Sequence, residues 1–124
     1  MKFYVGSKYC ERNKAKKLMK ELERQGHKNT CDWTNHSIVD AEHLRQYALD
    51  DVRGVKKAKV VIFLFEKKHK YKGCFVEMGV ALAKNKKVIV IGHAMDSCLF
   101  MKHPKVRQVA DTGNFLSQSL KMWL

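Results

Sequence analysis

Hydrophobic residues fall along this chain in two alternating patterns, short continuous runs and helical stripes. Residues 2–5 form an apolar run around Phe3, Tyr4 and Val5, closed by Gly6-Ser7. Over residues 13–25, Ala15, Leu18, Met19 and Leu22 recur at helical spacing, and Gly26 stops the pattern. Residues 28–33 read as a second short strand. A second helix is expected over residues 40–55, with Asp40 as its N-cap and Ala41, Leu44, Ala48, Leu49 and Val52 turned inward. Residues 59–65 are the clearest strand, a β-branched and aromatic run of the kind found where both faces of a sheet are covered. A helix over 73–84, a buried strand over 88–91, a weaker strand over 106–110 and a last helix over 115–124 complete the chain.

Strands alternating with helices predict right-handed βαβ units on a parallel sheet. The expectation is an α/β protein of Rossmann or flavodoxin-like three-layer type, one domain over residues 1–124, with a five-stranded parallel sheet in the order 2-1-3-4-5. No internal repeat or linker interrupts it. Ligands of open α/β sheets bind outside the carboxyl ends of the strands. Those ends carry Gly6-Ser7-Lys8, Asp32-Trp33-Thr34-Asn35-His36, the stretch 66–73 and Gly92-His93. The opposite rim, with Gly26-His27 and Asn85-Lys86, reads as plain connection.

Composition sharpens this picture in three ways. The 124 residues, 45% hydrophobic with a single proline, suffice for a core without disulfides or metals. No stretch approaches the roughly 20 apolar residues of a membrane span, and residues 1–5 are too short for a signal peptide, so a cytoplasmic protein is expected. Cys10, Cys31, Cys74 and Cys98 include no C-x-x-C pair and read as free thiols. Lys and Arg number 25 against 12 acidic residues, a formal net charge of +13. That excess fits either an anionic partner or a lysine-rich soluble surface.

Few residues stand out chemically. Glu77 is the one charge in an otherwise apolar stretch, 74–83, a helix apolar nearly all round that should be buried; Glu77 is either functional or placed to favour a helix N-terminus. Asp50-Asp51 sit near a helix C-terminus, where acids are unfavourable; either one serves another purpose or both lie on a solvated face. Asp32-Trp33 offers a hydrogen-bonding acid beside a flat apolar face, suited to a base ring or to covering the core. The loop Gly6-Ser7-Lys8 offers amides, a hydroxyl and an ammonium to a phosphate, yet it is neither a P-loop nor a G-x-G-x-x-G turn. Six histidines show no ligand spacing, so no metal or other cofactor is assigned, and no G-x-S-x-G elbow is present.

Taken in order, these pieces resemble the nucleoside 2-deoxyribosyltransferase family, including its deoxynucleoside monophosphate N-hydrolase branch. The resemblance is carried by Phe3-Tyr4-Val5-Gly6-Ser7, by Asp32-Trp33-Thr34-Asn35-His36, and by Asp51-Val52-Arg53-Gly54-Val55. It continues in Gly73-Cys74-Phe75-Val76-Glu77-Met78-Gly79-Val80-Ala81, which is similar to a G-x-x-x-E-x-G-x-A signature, and in His103-Pro104. It implies that Glu77 attacks the anomeric carbon to form a covalent glycosyl-enzyme, that Tyr4 positions Glu77, and that Asp51 contacts or protonates the leaving base. It also implies a substrate-binding set of Gly6, Ser7, Lys8, Asp32, Trp33, Tyr71 and Gly73. The implied partners are a nucleoside or nucleotide and a second copy of the chain, with nucleic acid and membrane not expected. Met95, Leu99, Phe100 and Met101 suit an oligomer interface or the monomer core. The chain departs from the family where many members carry an acid six positions before the nucleophile; here Tyr71 stands there. Four lysines in the loop 67–72 favour a phosphorylated substrate. A sensor on the same fold that binds a nucleotide without turnover is the alternative.

Overall fold

A computed structural model describes residues 1–36 and 40–124. Five strands, β1 (Lys2–Gly6), β2 (Lys28–Asn29), β3 (Val60–Leu64), β4 (Lys87–Ile91) and β5 (Val106–Val109), form an all-parallel sheet in the order β2-β1-β3-β4-β5. The helices are α1 (Arg12–Arg24), α2 (Ala41–Lys57), α3 (Lys72–Ala83) and α4 (Thr112–Leu116). This is the flavodoxin-like order that the alternation of patterns predicts. Every residue of β3 is buried, as are the last four of β4, so the continuous apolar runs are central strands covered on both faces.

Side-chain alternation along β1 then decides where function can sit. Tyr4 points to the face carrying α2 and α3, where it meets Gly54 and Glu77. Its neighbours Phe3 and Val5 turn the other way. Ala15, Leu18, Met19 and Leu22 of α1 are buried as their spacing predicts. Gly92 ends β4 at φ +106°, and a Cβ there would stand 2.4 Å from the Phe65 carbonyl oxygen, so only glycine lets that chain crossing close.

Four expectations need correction. The strand expected over 28–33 stops after Asn29, because Asp32 accepts from the Thr34 amide at 3.0 Å and caps a 3-10 turn, Trp33–Asn35. The face of α2 expected to be inward is exposed at Ala41, Leu44, Ala48, Leu49 and Val52; Leu49 is 44% exposed. Only Gly54 and Val55 of α2 are buried; the helix packs on α3 and on β1, and Gly54 is where it meets Tyr4. On α3, Cys74, Met78 and Ala81 are buried but Val76 is 64% exposed, so the helix is not enclosed all round. The last helix is α4 followed by a separate 3-10 turn, Leu120–Trp123; the Ser117 hydroxyl donates to the Asn114 carbonyl at 2.6 Å and competes with the helical ladder. Of the apolar segment near residue 100, Met101 is buried while Leu99 and Phe100 are exposed. Among the described residues, no helix is long and apolar enough to cross a membrane.

Candidate active site

The carboxyl ends of β1 and β3 open into a cavity of about 520 Å³, walled by α2 and the start of α3. Its floor is the pair Tyr4 and Glu77. Tyr4 is fully buried, and its hydroxyl donates a hydrogen bond to Glu77 Oε2. A Cβ on Gly6 would lie 2.7 Å from the Phe63 ring and 3.2 Å from Glu77 Oε1. Glycine at that position is therefore what gives the carboxylate its place. Gly54 acts likewise on the other side: a Cβ there would meet Cys31 Cβ at 2.7 Å and the Tyr4 ring at 3.1 Å. The close approach it permits brings Asp51, one helical turn earlier, into the cavity wall.

Burial dominates the electrostatics. It pushes the Glu77 carboxyl up from 4.5 to about 7; the charge of Asp51 adds to the rise, and the hydrogen bond from Tyr4 opposes it. The Tyr4 hydroxyl is raised far above its ordinary value by burial and then by the charges of Glu77 and Asp51, so it remains a donor. Asp51 is also raised, chiefly by burial and with a contribution from Asp50, against a hydrogen bond from Cys31 Sγ at 3.5 Å that pulls it down. The Cys31 thiol is pushed up to about 12, again by burial first, which keeps it protonated and donating. Two carboxyl groups thus share one cavity with different hydrogen-bond partners. Such a pair can divide the roles of nucleophile and proton donor.

Around this floor stand aromatic walls and a basic rim. Trp33 lines the cavity and is fixed by its Nε1 donating to the Val5 carbonyl at 2.5 Å. Tyr71 lines it too, held by donation to the Lys67 carbonyl at 2.5 Å. Ser7, Lys8 and Gly73 are at the wall, with Lys70 and Lys72 beside them. Lys8 Nζ donates to the Lys70 carbonyl at 2.9 Å and joins the two loops of the rim. The first turn of α3 faces the cavity without a side-chain cap, leaving its positive end toward any ligand.

Two sequence candidates are not in the cavity wall: Gly6, which acts through the space it leaves for Glu77, and Asp32. The Asp32 carboxylate is occupied by Lys16, the Thr34 amide and the Thr34 hydroxyl. Asp50 is likewise spent on Gln46 at 2.8 Å and on Arg53 at 3.5 Å. Sequence reading missed Tyr9, Leu44, Tyr47 and the placing of His36, all of which line the cavity. Leu44, Tyr47 and Asp51 follow one another at helical spacing and mark a single face of α2, so a signal was present. His36 stacks on Tyr47 with ring centroids 3.7 Å apart and an interplanar angle of 7°.

Fold and cavity together define an α/β protein whose ligand site lies at the carboxyl rim of a parallel sheet. Two solved structures share the fold across the whole chain. A CMP N-glycosidase, BcmB, from Clostridium botulinum superposes with a TM-score of 0.72 at 17% identity, covering 100% of both chains. A 2-deoxyribosyltransferase from Bacillus psychrosaccharolyticus superposes with a TM-score of 0.73 at 15% identity, covering 99% of this chain and 96% of its own. No curated protein matches the sequence. The family model for nucleoside 2-deoxyribosyltransferase matches residues 3–116, and the chain belongs to that family of enzymes.

The raised carboxyl has a consequence for stability. A half-buried acid whose value rises from 4.5 to about 7 on folding costs nothing below its unfolded value, and the full cost is present above about pH 7. Glu77→Gln keeps an acceptor for Tyr4 and removes the charge. Thermal and urea unfolding should show it more stable than the native chain by on the order of 2 kcal/mol near pH 8, with no gain near pH 4.

Proposed function

We propose that the enzyme cleaves the N-glycosidic bond of a 2′-deoxyribonucleoside 5′-monophosphate through a covalent intermediate on Glu77. The observation that carries this reading is the hydrogen-bonded pair of buried Tyr4 and half-buried Glu77, facing Asp51 inside a lysine-rimmed cavity. Family membership supplies the reaction class.

In the first step a Glu77 carboxylate oxygen attacks C1′ of the sugar and the C1′–N bond breaks. The bonding electron pair leaves with the base, which takes a proton from Asp51, whose raised value keeps it available as an acid. In the second step a water oxygen, or a nitrogen of an acceptor base, attacks C1′ from the vacated side. The C1′–Glu77 bond breaks, and the attacking group's proton passes to Asp51. Tyr4 holds the attacking oxygen in place, and the deprotonated fraction of Glu77 is the reactive one. Trp33, Tyr47 and Tyr71 offer flat faces to the base. Lys8, Lys70, Lys72 and the positive end of α3 provide for the phosphate.

Free base separated by chromatography tests this directly. Deoxynucleosides, their 5′-monophosphates and CMP are incubated with the protein, with and without an acceptor base. Base should be released from a deoxynucleoside 5′-monophosphate by the native chain and not by Glu77→Ala. Lys70→Ala and Lys72→Ala should raise KM for the monophosphate about tenfold while changing that for the unphosphorylated nucleoside little. Ligand binding without base release from any member would instead make the protein a sensor. A new nucleoside formed with the acceptor would make it a transferase.

The same reading takes the chain as a cytoplasmic homo-oligomer, a second copy covering the exposed apolar side chains of α2 and α3, Leu49, Val52 and Val76. Light scattering should report a mass at least twice 14.4 kDa, falling toward one chain in Leu49→Asp; a native monomer would overturn it.

A further inference from the structure

Outside the cavity, three side chains with ligand chemistry converge from distant parts of the sequence. Cys10 and Glu11 belong to the 3-10 turn Tyr9–Glu11 that follows β1, and His69 belongs to the loop between β3 and α3. Glu11 and His69 are 58 positions apart in sequence, and the pairing of β1 with β3 brings their loops together. His69 Nε2 lies 3.2 Å from Glu11 Oε1 and 3.8 Å from Cys10 Sγ. All three donor atoms are within 4.8 Å of one another, and they are the one such group among the described residues.

A tetrahedral zinc ion, with bonds of about 2.3 Å to sulfur and about 2.0 Å to nitrogen or oxygen, sets its donor atoms roughly 3.3–3.6 Å apart. The two separations at His69 fall close to that range. We propose that Cys10, Glu11 and His69 are three protein ligands of a zinc-class divalent ion, with water in the fourth position. Thiol and imidazole select zinc or cobalt over magnesium and calcium, which prefer all-oxygen shells. The thiolate and the carboxylate together neutralise the ion, which matters on a chain of formal charge +13. On binding, the Cys10 thiol gives its proton to solvent and no electron changes hands. Lys67 Nζ, 3.8 Å from Glu11 Oε1, is the competing cation; its side chain is 66% exposed and is free to swing away.

The position gives the ion a structural task. Tyr9 and Lys8, on one loop, and Lys70 and Tyr71, on the other, lie within two residues of the ligands and line the cavity. The hydrogen bond from Lys8 Nζ to the Lys70 carbonyl at 2.9 Å ties these loops beside the cavity, and the His69–Glu11 contact ties them behind it. A bound ion replaces the second of these with coordinate bonds and holds the mouth of the cavity at one width. This site is independent of the chemistry assigned to Glu77, and its test reads metal rather than turnover.

Full-length protein, reduced and freed of metal with a chelator, is titrated with zinc and with cobalt(II). One ion per chain should bind, and the cobalt form should show the intense visible bands of a tetrahedral centre with a thiolate charge-transfer band. Cys10→Ser should abolish the charge-transfer band, and Cys10→Ser, Glu11→Gln and His69→Gln should each weaken binding at least about tenfold. Cys98→Ser, remote from the cluster, should bind as the native chain does. All three ligands are exposed or partly exposed, so the variants are expected to fold, which circular dichroism checks; because each ligand is changed separately, two folded variants suffice. No binding by the native chain, or binding indifferent to all three substitutions, would overturn the site and leave Glu11 and His69 as an ordinary ion pair.

Discussion

A carboxylate withdrawn from water must be solvated by the protein, and for Glu77 the solvating group is the Tyr4 hydroxyl. Much of the surrounding structure can be traced from that one hydrogen bond. Tyr4 can reach Glu77 only because β1 pairs with β3 and α3 crosses beside them, which requires a parallel sheet with a right-handed return. Gly6 and Gly54 leave the space that the two side chains occupy. Removing a side chain at two backbone positions is thus as much a part of the site as the acids it contains.

The cost of this arrangement falls on stability, and under the proposed mechanism the benefit falls on chemistry. Burial raises Glu77 and Asp51 together, so neither carries its charge as readily as a surface acid would. A carboxylate poorly solvated before reaction is a better nucleophile toward a sugar carbon that develops positive charge. A raised neighbouring acid keeps the proton that a departing base needs. The lysines at the rim supply the opposite sign at the cavity mouth. Charge is therefore separated across the cavity, acidic at the floor and basic at the mouth.

Much of this was legible in the sequence, for identifiable reasons. Strands β3 and β4 announce themselves because residues buried on both faces leave no room for polar alternation. Glu77 stood out as a lone charge in an apolar helix. Tyr4 did not stand out by itself, since a tyrosine in a buried strand looks like core; only the resemblance singled it out. The stripe on α2 was read correctly as a stripe and wrongly as core, because periodicity gives a face and not what the face meets. There it meets solvent at Leu49 and the cavity at Tyr47 and Asp51. Asp32 caps a 3-10 turn outside the cavity wall, and a capping acid and a ligand-binding acid look alike until their partners are known. Cys10 and His69 have no local spacing at all, and only strand pairing makes them neighbours.

The most direct test of this account is the covalent state of Glu77 during turnover. Protein mixed with a 2′-deoxyribonucleoside 5′-monophosphate, quenched in acid and digested, is examined by mass spectrometry. The account predicts one added deoxyribosyl phosphate on the peptide that contains Glu77, absent from Glu77→Gln and from protein that saw only phosphate. Base release with no adduct at any quench time, or an adduct that persists in Glu77→Gln, would contradict it and move the nucleophile to another group or to water.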